Sequence, residues 1–269
     1  MTSFSLPCAL AIGGLDPGGG AGIVADLRAF AAAGAFGCAA VAVMTVQSTA
    51  GLRAVRALPA RELIGQVKEV LSHQRVRAIK VGALGSGSNI RALANLLGRH
   101  TDLSVVVDTP ILPTRGRARL LSSRDLRILS DELLPLATLV TLNLPEVQTL
   151  LGERVRTVGE AHDAARTLAR TGVRAVLVKG GHMEGAASID VLAVDGEVVE
   201  LRAKRLDIPP THGTGCTFAS LVAGRLALAE PHPPSSERLI AAIRWAKRVH
   251  HAALARVANV GDGMRVVVF

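Results

Sequence analysis

Short apolar runs alternate along the chain with longer stretches in which apolar positions recur at helical spacing. The first pattern predicts buried strands and the second amphipathic helices. Leu10-Ala11-Ile12 predicts a buried strand running into a glycine-rich loop, Gly13 to Gly22. A helix should follow through Asp26, Leu27 and Phe30 and stop at Gly34. Ala39 to Thr45 predicts a second buried strand, ending in Val46-Gln47-Ser48-Thr49. After Pro59, the positions Leu63, Val67, Val70 and Leu71 predict a helix, and Ala78 to Gly82 a short strand and turn. Ile90 to Leu97 reads as a helix closed by Gly98, and Leu103 to Asp108 as an apolar strand ending in an acid. Then come a helix over Leu126 to Leu134, a strand over Leu139 to Leu142, a helix over Ala161 to Ala169 and a strand over Ala175 to Val178. Asp190 to Val194 and Val198 to Ala203, joined by Asp195-Gly196, carry a hairpin signal. A helix beyond Cys216 and a last one from Glu237 to Val257 complete the pattern. With no linker and no repeat, this alternation predicts an α/β fold: one doubly wound, mostly parallel sheet flanked by helices, with a small antiparallel hairpin. Residues 1–269 are expected to form a single domain.

Composition sharpens the picture in four places. At 49% hydrophobic and only 2% aromatic, with no Tyr, the core must be built from Ala, Val and Leu. The net charge of +9, mostly Arg, can steer anionic small molecules. Without stacking aromatics or a compact basic run, no nucleic-acid partner is expected. The uncharged stretch Phe30 to Gln47 is broken by Gly34 and Gly37, so no membrane span is expected. Cys8, Cys38 and Cys216 lack metal-ligand spacing, and Met1 to Pro7 lacks the features of a signal peptide. A reducing, cytoplasmic setting is the expectation.

The candidate chemistry centres on Thr211-His212-Gly213-Thr214-Gly215-Cys216, which opens an Ala/Leu/Val helix after Pro209-Pro210. Glycines at a helix mouth leave backbone N–H groups aimed along the positive end of the dipole, a site for a phosphate. Cys216 falls in the first turn, where the dipole favours a thiolate below the free pKa of about 8.5. The plainer reading is a Gly-rich helix start over a buried Cys. The loop Gly13 to Gly22 matches neither the dinucleotide fingerprint nor the P-loop. In its helix Asp26 faces solvent or a ligand, with solvent favoured. Gln47, at a strand end, reads most plainly as a loop polar residue, the alternative being that it offers the donor and acceptor that an aminopyrimidine or pyridine edge needs. Asp108 is either a strand-end cap or a group beside metal and phosphate. Asn143, Pro145 and Glu146 have the offsets of a capping box, the alternative being Glu146 ordering Mg²⁺ through water. Lys179, beside Gly180-Gly181, can reach a phosphate, while His182 reads as structural. Arg115, Arg117 and Arg119 read as a solvated cluster.

Taken together, Gly14-Leu15-Asp16-Pro17-Gly18-Gly19-Gly20-Ala21-Gly22-Ile23-Val24-Ala25-Asp26, Asn143-Leu144-Pro145-Glu146, Lys179-Gly180-Gly181-His182 and Thr211 to Cys216 resemble the hydroxymethylpyrimidine/phosphomethylpyrimidine kinases of thiamine biosynthesis. That family is ribokinase-like. The resemblance runs from about Ala9 to about Val260, with the motifs in family order. It implies a kinase using ATP and Mg²⁺ on a small pyrimidine and then on its monophosphate. It further implies Cys216 as base, Gly213, Thr214 and Gly215 as the anion hole, and Gln47, Gly14, Asp26, Ala83 and Pro110 around the substrate. Lys179, Asn143 and Thr211 would meet phosphates, Glu146 and Asp108 the metal, and two copies would pair as a homodimer. Pyridoxal-type kinases of the same superfamily are the alternative, as is a pyrimidine-binding relative without turnover. The chain departs from the family pattern at Ala83, where Met is common, at Asp108-Thr109-Pro110-Ile111, at Arg115, and at Gly263-Met264-Arg265-Val266-Val267.

Overall fold

A computed structural model describes residues 6–110, 121–230 and 232–269, with the backbone alone at position 182. The predicted Arg115, Arg117 and Arg119 cluster lies outside the described residues. In chain order the first elements are β1 (Cys8–Leu15), α1 (Gly22–Ala33), β2 (Phe36–Ser48), β3 (Gly51–Ala57), α2 (Ala60–His73) and β4 (Val76–Val81). There follow α3 (Gly87–Leu97), β5 (Ser104–Val107), α4 (Ser123–Ile128), β6 (Leu139–Asn143), α5 (Leu144–Leu151), α6 (Val158–Ala169) and β7 (Ala175–Lys179). The chain closes with β8 (Ala187–Val194), β9 (Glu197–Lys204), β10 (Thr211–His212), α7 (Thr214–Ala227), α8 (Ser236–Leu254) and β11 (Arg265–Val266).

Nine strands form one sheet in the order β3-β2-β1-β4-β5-β6-β7-β8-β9. The run from β2 to β7 is parallel, while β3, β8 and β9 each pair antiparallel with a neighbour. The sheet is doubly wound, as the alternation predicts. Along β1 the side chains alternate between two cores: Leu10 and Ile12 face one, Ala9 and Ala11 the other. The first core is completed by α2, α3, α4, α5 and α6, the second by α1, α7 and α8. Almost no aromatic side chain is available, so close backbone approach takes its place. At Gly224 of α7 a Cβ would stand 2.7 Å from the Ala33 Cβ of α1, so the two helices pack flush. This sets their N-termini side by side.

The predicted hairpin is present. Asp195 (φ 47°) and Gly196 (φ 84°) make its turn between β8 and β9. Three boundaries differ from the sequence reading. Gly13 and Gly14 belong to β1 rather than to the loop after it. Strand β2 runs on to Ser48 and pairs with β3, which the pattern did not announce. Its sequence, Gly-Leu-Arg-Ala-Val-Arg-Ala, lacks period-two alternation because β3 is an edge strand whose residues 53–56 are exposed. The helix predicted over Leu126 to Leu134 becomes α4, a π turn over Leu129–Leu133 and a 3₁₀ turn containing Pro135. Among the described residues no helix is long and apolar enough to cross a membrane.

Candidate active site

The carboxyl ends of the parallel strands and the starts of α1 and α7 open on one cavity of about 720 Å³. This is where doubly wound sheets place their ligands. Helices α3, α4, α5, α6 and α8 begin with a side-chain cap, from Ser86, Ser122, Asn143, Thr157 and Ser235. Neither α1 nor α7 does; their N-cap residues are Ala21 and Gly213. Gly213 is left-handed (φ 75°), and a Cβ there would meet the Gly20 carbonyl at 1.9 Å. Gly22 is also left-handed (φ 56°), with the Gly14 carbonyl 2.2 Å from where its Cβ would be. Two helix N-termini thus reach the cavity without a capping side chain from their N-cap residues, a cradle for an anion.

Two Lys–Asp pairs flank this cradle. Lys80, the buried cation of strand β4, holds both carboxylate oxygens of Asp26 at 3.0 Å. Ser220 Oγ donates to the same carboxylate at 2.7 Å. Both partners are buried, so Asp26 does not face solvent as its helical position suggested. Burial pushes its carboxyl above the ordinary range despite Lys80 and Ser220. The second pair joins Lys179 to Asp108 at 2.7 Å, and Thr141 Oγ1 donates to Asp108 at 2.6 Å. Burial raises the Asp108 carboxyl, but Lys179, Lys80 and Thr141 together hold it below the usual range. A Cβ on Gly215 would stand 3.4 Å from both Asp108 Oδ2 and Lys179 Nζ, so this pair lies against the mouth of α7.

Cys216, in the first turn of α7, is half-buried, and the Gly22 N–H points at its sulfur. The thiol does not sit below its free pKa, as the helix dipole alone suggested. Burial pushes it up, and the carboxylates of Asp26 and Asp108 add to this against the pull of Lys80. Gln47 reaches the cavity from the end of β2, its amide 3.0 Å from His212 Nε2. That same ring nitrogen lies 3.0 Å from Asp16 Oδ2.

Every predicted site residue lines this one cavity, including Gly14, Ala83, Pro110, Asn143, Thr211, Thr214 and Glu146. Asn143 and Glu146 form the capping box of α5: Asn143 Oδ1 accepts the Glu146 N–H at 2.9 Å, and Glu146 Oε2 the Asn143 N–H at 2.8 Å. The Thr211 hydroxyl donates to the Pro209 carbonyl at 2.8 Å. Among the described residues no three His, Cys, Asp or Glu side chains cluster as a metal cage. Asp108 and Glu146 suit instead an ion that keeps most of its water, as Mg²⁺ does.

The sequence reading gave no role to Lys80, Asp16, His212 or His250. The first could have been found, as a lysine inside a buried strand must have a partner. His250 could not. It reaches the cavity from α8, and its pKa is pushed down to about 4 by burial and by the charges of Lys179 and Lys247.

Comparison with known proteins gives this geometry relatives. Residues 16–268 match the family model of phosphomethylpyrimidine kinase. The hydroxymethylpyrimidine/phosphomethylpyrimidine kinase of Haemophilus influenzae is 35% identical over 258 residues, covering 94% of this chain and 93% of that one. A thiamine biosynthesis bifunctional protein of Geobacter sulfurreducens is 37% identical over 94% of this chain, which spans 50% of its length. In structure, the ADP complex of Bacillus subtilis pyridoxal kinase superposes with a TM-score of 0.86 at 28% identity, covering 98% of this chain and 97% of that one.

Proposed function

The chain belongs to the phosphomethylpyrimidine kinase family, and from that premise we propose how it carries out phosphoryl transfer. The substrate is 4-amino-5-hydroxymethyl-2-methylpyrimidine and then its monophosphate, with ATP as donor and Mg²⁺ as the ion, and residues 1–269 work as one kinase unit. One observation carries the reading. The uncapped mouth of α7, the Lys179–Asp108 pair and Gln47 all face a single cavity. ADP in a structural neighbour supports the choice of ATP.

In this reading the N–H groups of Gly213, Thr214 and Gly215 stabilise charge on the transferring phosphoryl group. Lys179 leaves Asp108 for a phosphate oxygen, Asn143 and Thr211 bound the phosphate site, and Asp108 and Glu146 would hold the Mg²⁺ ion. Mg²⁺, when bound, neutralises phosphate charge. Gln47 holds the ring edge over Gly14, Ala83 and Pro110, and Asp26 keeps Lys80 in place beneath. Cys216, as the thiolate, takes the hydroxyl proton and becomes the thiol. Its raised pKa means that only a small fraction of the enzyme carries the thiolate at neutral pH, and that fraction is the active one. The sign follows: kcat/KM should climb with pH through neutrality and level off only above the ordinary thiol range.

ATP consumption across a panel of hydroxymethyl heterocycles tests the assignment. The pyrimidine should be turned over, and Cys216→Ala should lose about 10²–10⁴-fold in turnover with nucleotide affinity little changed. Cys216→Asp should keep more activity than Ala and move the pH rise to the acidic side. Turnover within a few-fold of wild type in Cys216→Ala removes the thiol from the mechanism. A second reading, pyridoxal phosphorylation, is favoured by the pyridoxal kinase neighbour and by the small Ala83 in the ring pocket. A tenfold or greater preference for pyridoxal in the same panel would select it.

A further inference from the structure

His212 stands between two side chains that make opposite demands on one nitrogen. Its Nε2 is 3.0 Å from Asp16 Oδ2 and 3.0 Å from the Gln47 amide nitrogen. Asp16 is 2% exposed, and its other partners are all donors: the Gly18 N–H at 2.9 Å on Oδ1 and the Ala21 N–H at 2.9 Å on Oδ2. A carboxylate surrounded by donors is acceptor-only, so Nε2 must carry a hydrogen whether the ring is neutral or cationic. The ring has little room to choose otherwise. A Cβ on Gly20 would lie 2.5 Å from His212 Cδ2, and Nδ1 is buried without a partner among the described residues.

A hydrogen on Nε2 cannot be met by an amide NH₂. The two ends of an amide have the same shape, so hydrogen bonding alone decides which faces the ring. We propose that His212 is a positioning residue for Gln47: its Nε2–H, shared between Asp16 and Gln47 Oε1, turns the amide so that the Gln47 NH₂ faces the cavity. Gln47 therefore presents donors to the ligand. The ring feature it selects is an acceptor at the ring edge, such as the pyrimidine nitrogen beside the amino group. The remaining lone pair of Oε1 is still open to that amino group. The same imidazole ties the β1–α1 loop, through Asp16, to the residue preceding Gly213. Ring reading and anion cradle thus share one anchor. This inference rests on the pyrimidine kinase reading.

The test compares kcat/KM for the hydroxymethylpyrimidine and for its analogue with CH in place of the ring nitrogen beside the amino group. Wild type should prefer the pyrimidine by roughly tenfold or more, the worth of one buried hydrogen bond. His212→Phe should bring that ratio to within about threefold of unity, and His212→Gln, whose amide N–H can replace Nε2–H, should restore most of it. In a Gln47→Ala background His212→Phe should leave the ratio unchanged. Equal loss on both substrates in His212→Phe, with the ratio intact, would mean a structural role and overturn the proposal. So would additive effects in the double variant. Nitrogen-15 NMR of the wild-type protein decides the matter independently if a variant fails to fold or neither compound is phosphorylated. A protonated Nε2 on His212 is expected, and a bare Nε2 overturns the proposal. A wild type that phosphorylates neither compound removes the pyrimidine kinase reading, while the NMR result still decides the amide orientation.

Discussion

Two lysine–aspartate pairs lie near one cysteine, and they differ in how far each is exposed. Lys80 and Asp26 have side chains 1% and 0% exposed, enclosed between β4, α1 and α7 at the floor of the cavity. Lys179 and Asp108 are 17% and 10% exposed and open on the cavity. The consequence appears in the carboxylates: burial wins at Asp26, which is raised, and the neighbouring cations win at Asp108, which is lowered. An enclosed pair has no alternative partner, so it fixes geometry and sets a constant field under Cys216. An open pair can exchange each partner for a ligand group of the same charge. In the proposed mechanism the same residue types therefore serve structure in one place and binding in the other.

The comparison breaks most visibly if Lys80 is removed. Lys80→Met leaves a buried carboxylate without its cation and should cost about 3–5 kcal/mol, near 10 °C or more in melting temperature. Lys80→Met combined with Asp26→Leu should recover most of that stability, since an apolar pair of similar volume is often neutral. A single variant that melts within a degree or two of wild type would show that the pair is not enclosed. Lys179→Met should behave in the opposite way. Water in the cavity re-solvates Asp108, so the stability loss should be roughly 1 kcal/mol. Turnover should fall roughly tenfold to a hundredfold, the worth of a charge-assisted bond to phosphate. Thermal melts and steady-state ATP kinetics on the two variants separate the roles.

The sheet was largely legible because buried parallel strands read as plain apolar runs, Ala175 to Val178 being one. Strand β3 was not, since an edge strand with two exposed arginines carries neither pattern. The site was legible wherever glycine or a strand end marks it, as at Gly213, Gln47 and Asp108. Asp26 misled because a helix start gives no hint that Lys80, 54 residues later, reaches back to it. The expectation for Cys216 failed for a related reason. The helix dipole can be read from sequence, but burial and two distant carboxylates cannot.

Glu146 tests the open side of the comparison at smaller scale. Gln can still close the capping box with Asn143, so Glu146→Gln should melt within a few degrees of wild type. Turnover and apparent Mg²⁺ affinity should fall roughly 10–100-fold, as for groups that act on a metal through its water. A lowered melting temperature with unchanged kinetics would leave Glu146 as a cap only.

The smallest effect expected concerns the proposed ring pocket, at Ala83, where the family resemblance leads one to expect Met. A Cβ on Gly14 would stand 3.8 Å from the Ala83 Cβ, so the two positions are neighbours in the cavity lining. Three further heavy atoms at position 83 would extend over Gly14 and fill that part of the cavity. Apolar walls discriminate weakly, about 1–3 kcal/mol for each methylene that fits or clashes. The polar reading by Gln47 stays in place, so pyrimidine use should change little in Ala83→Met. Bulkier rings have no such compensation. The kcat/KM ratio of pyridoxal to hydroxymethylpyrimidine should therefore fall several-fold in Ala83→Met, to about tenfold at most. A ratio that stays level or rises would mean that Ala83 does not bound the ring, and that selectivity rests on Gln47 and its anchor alone.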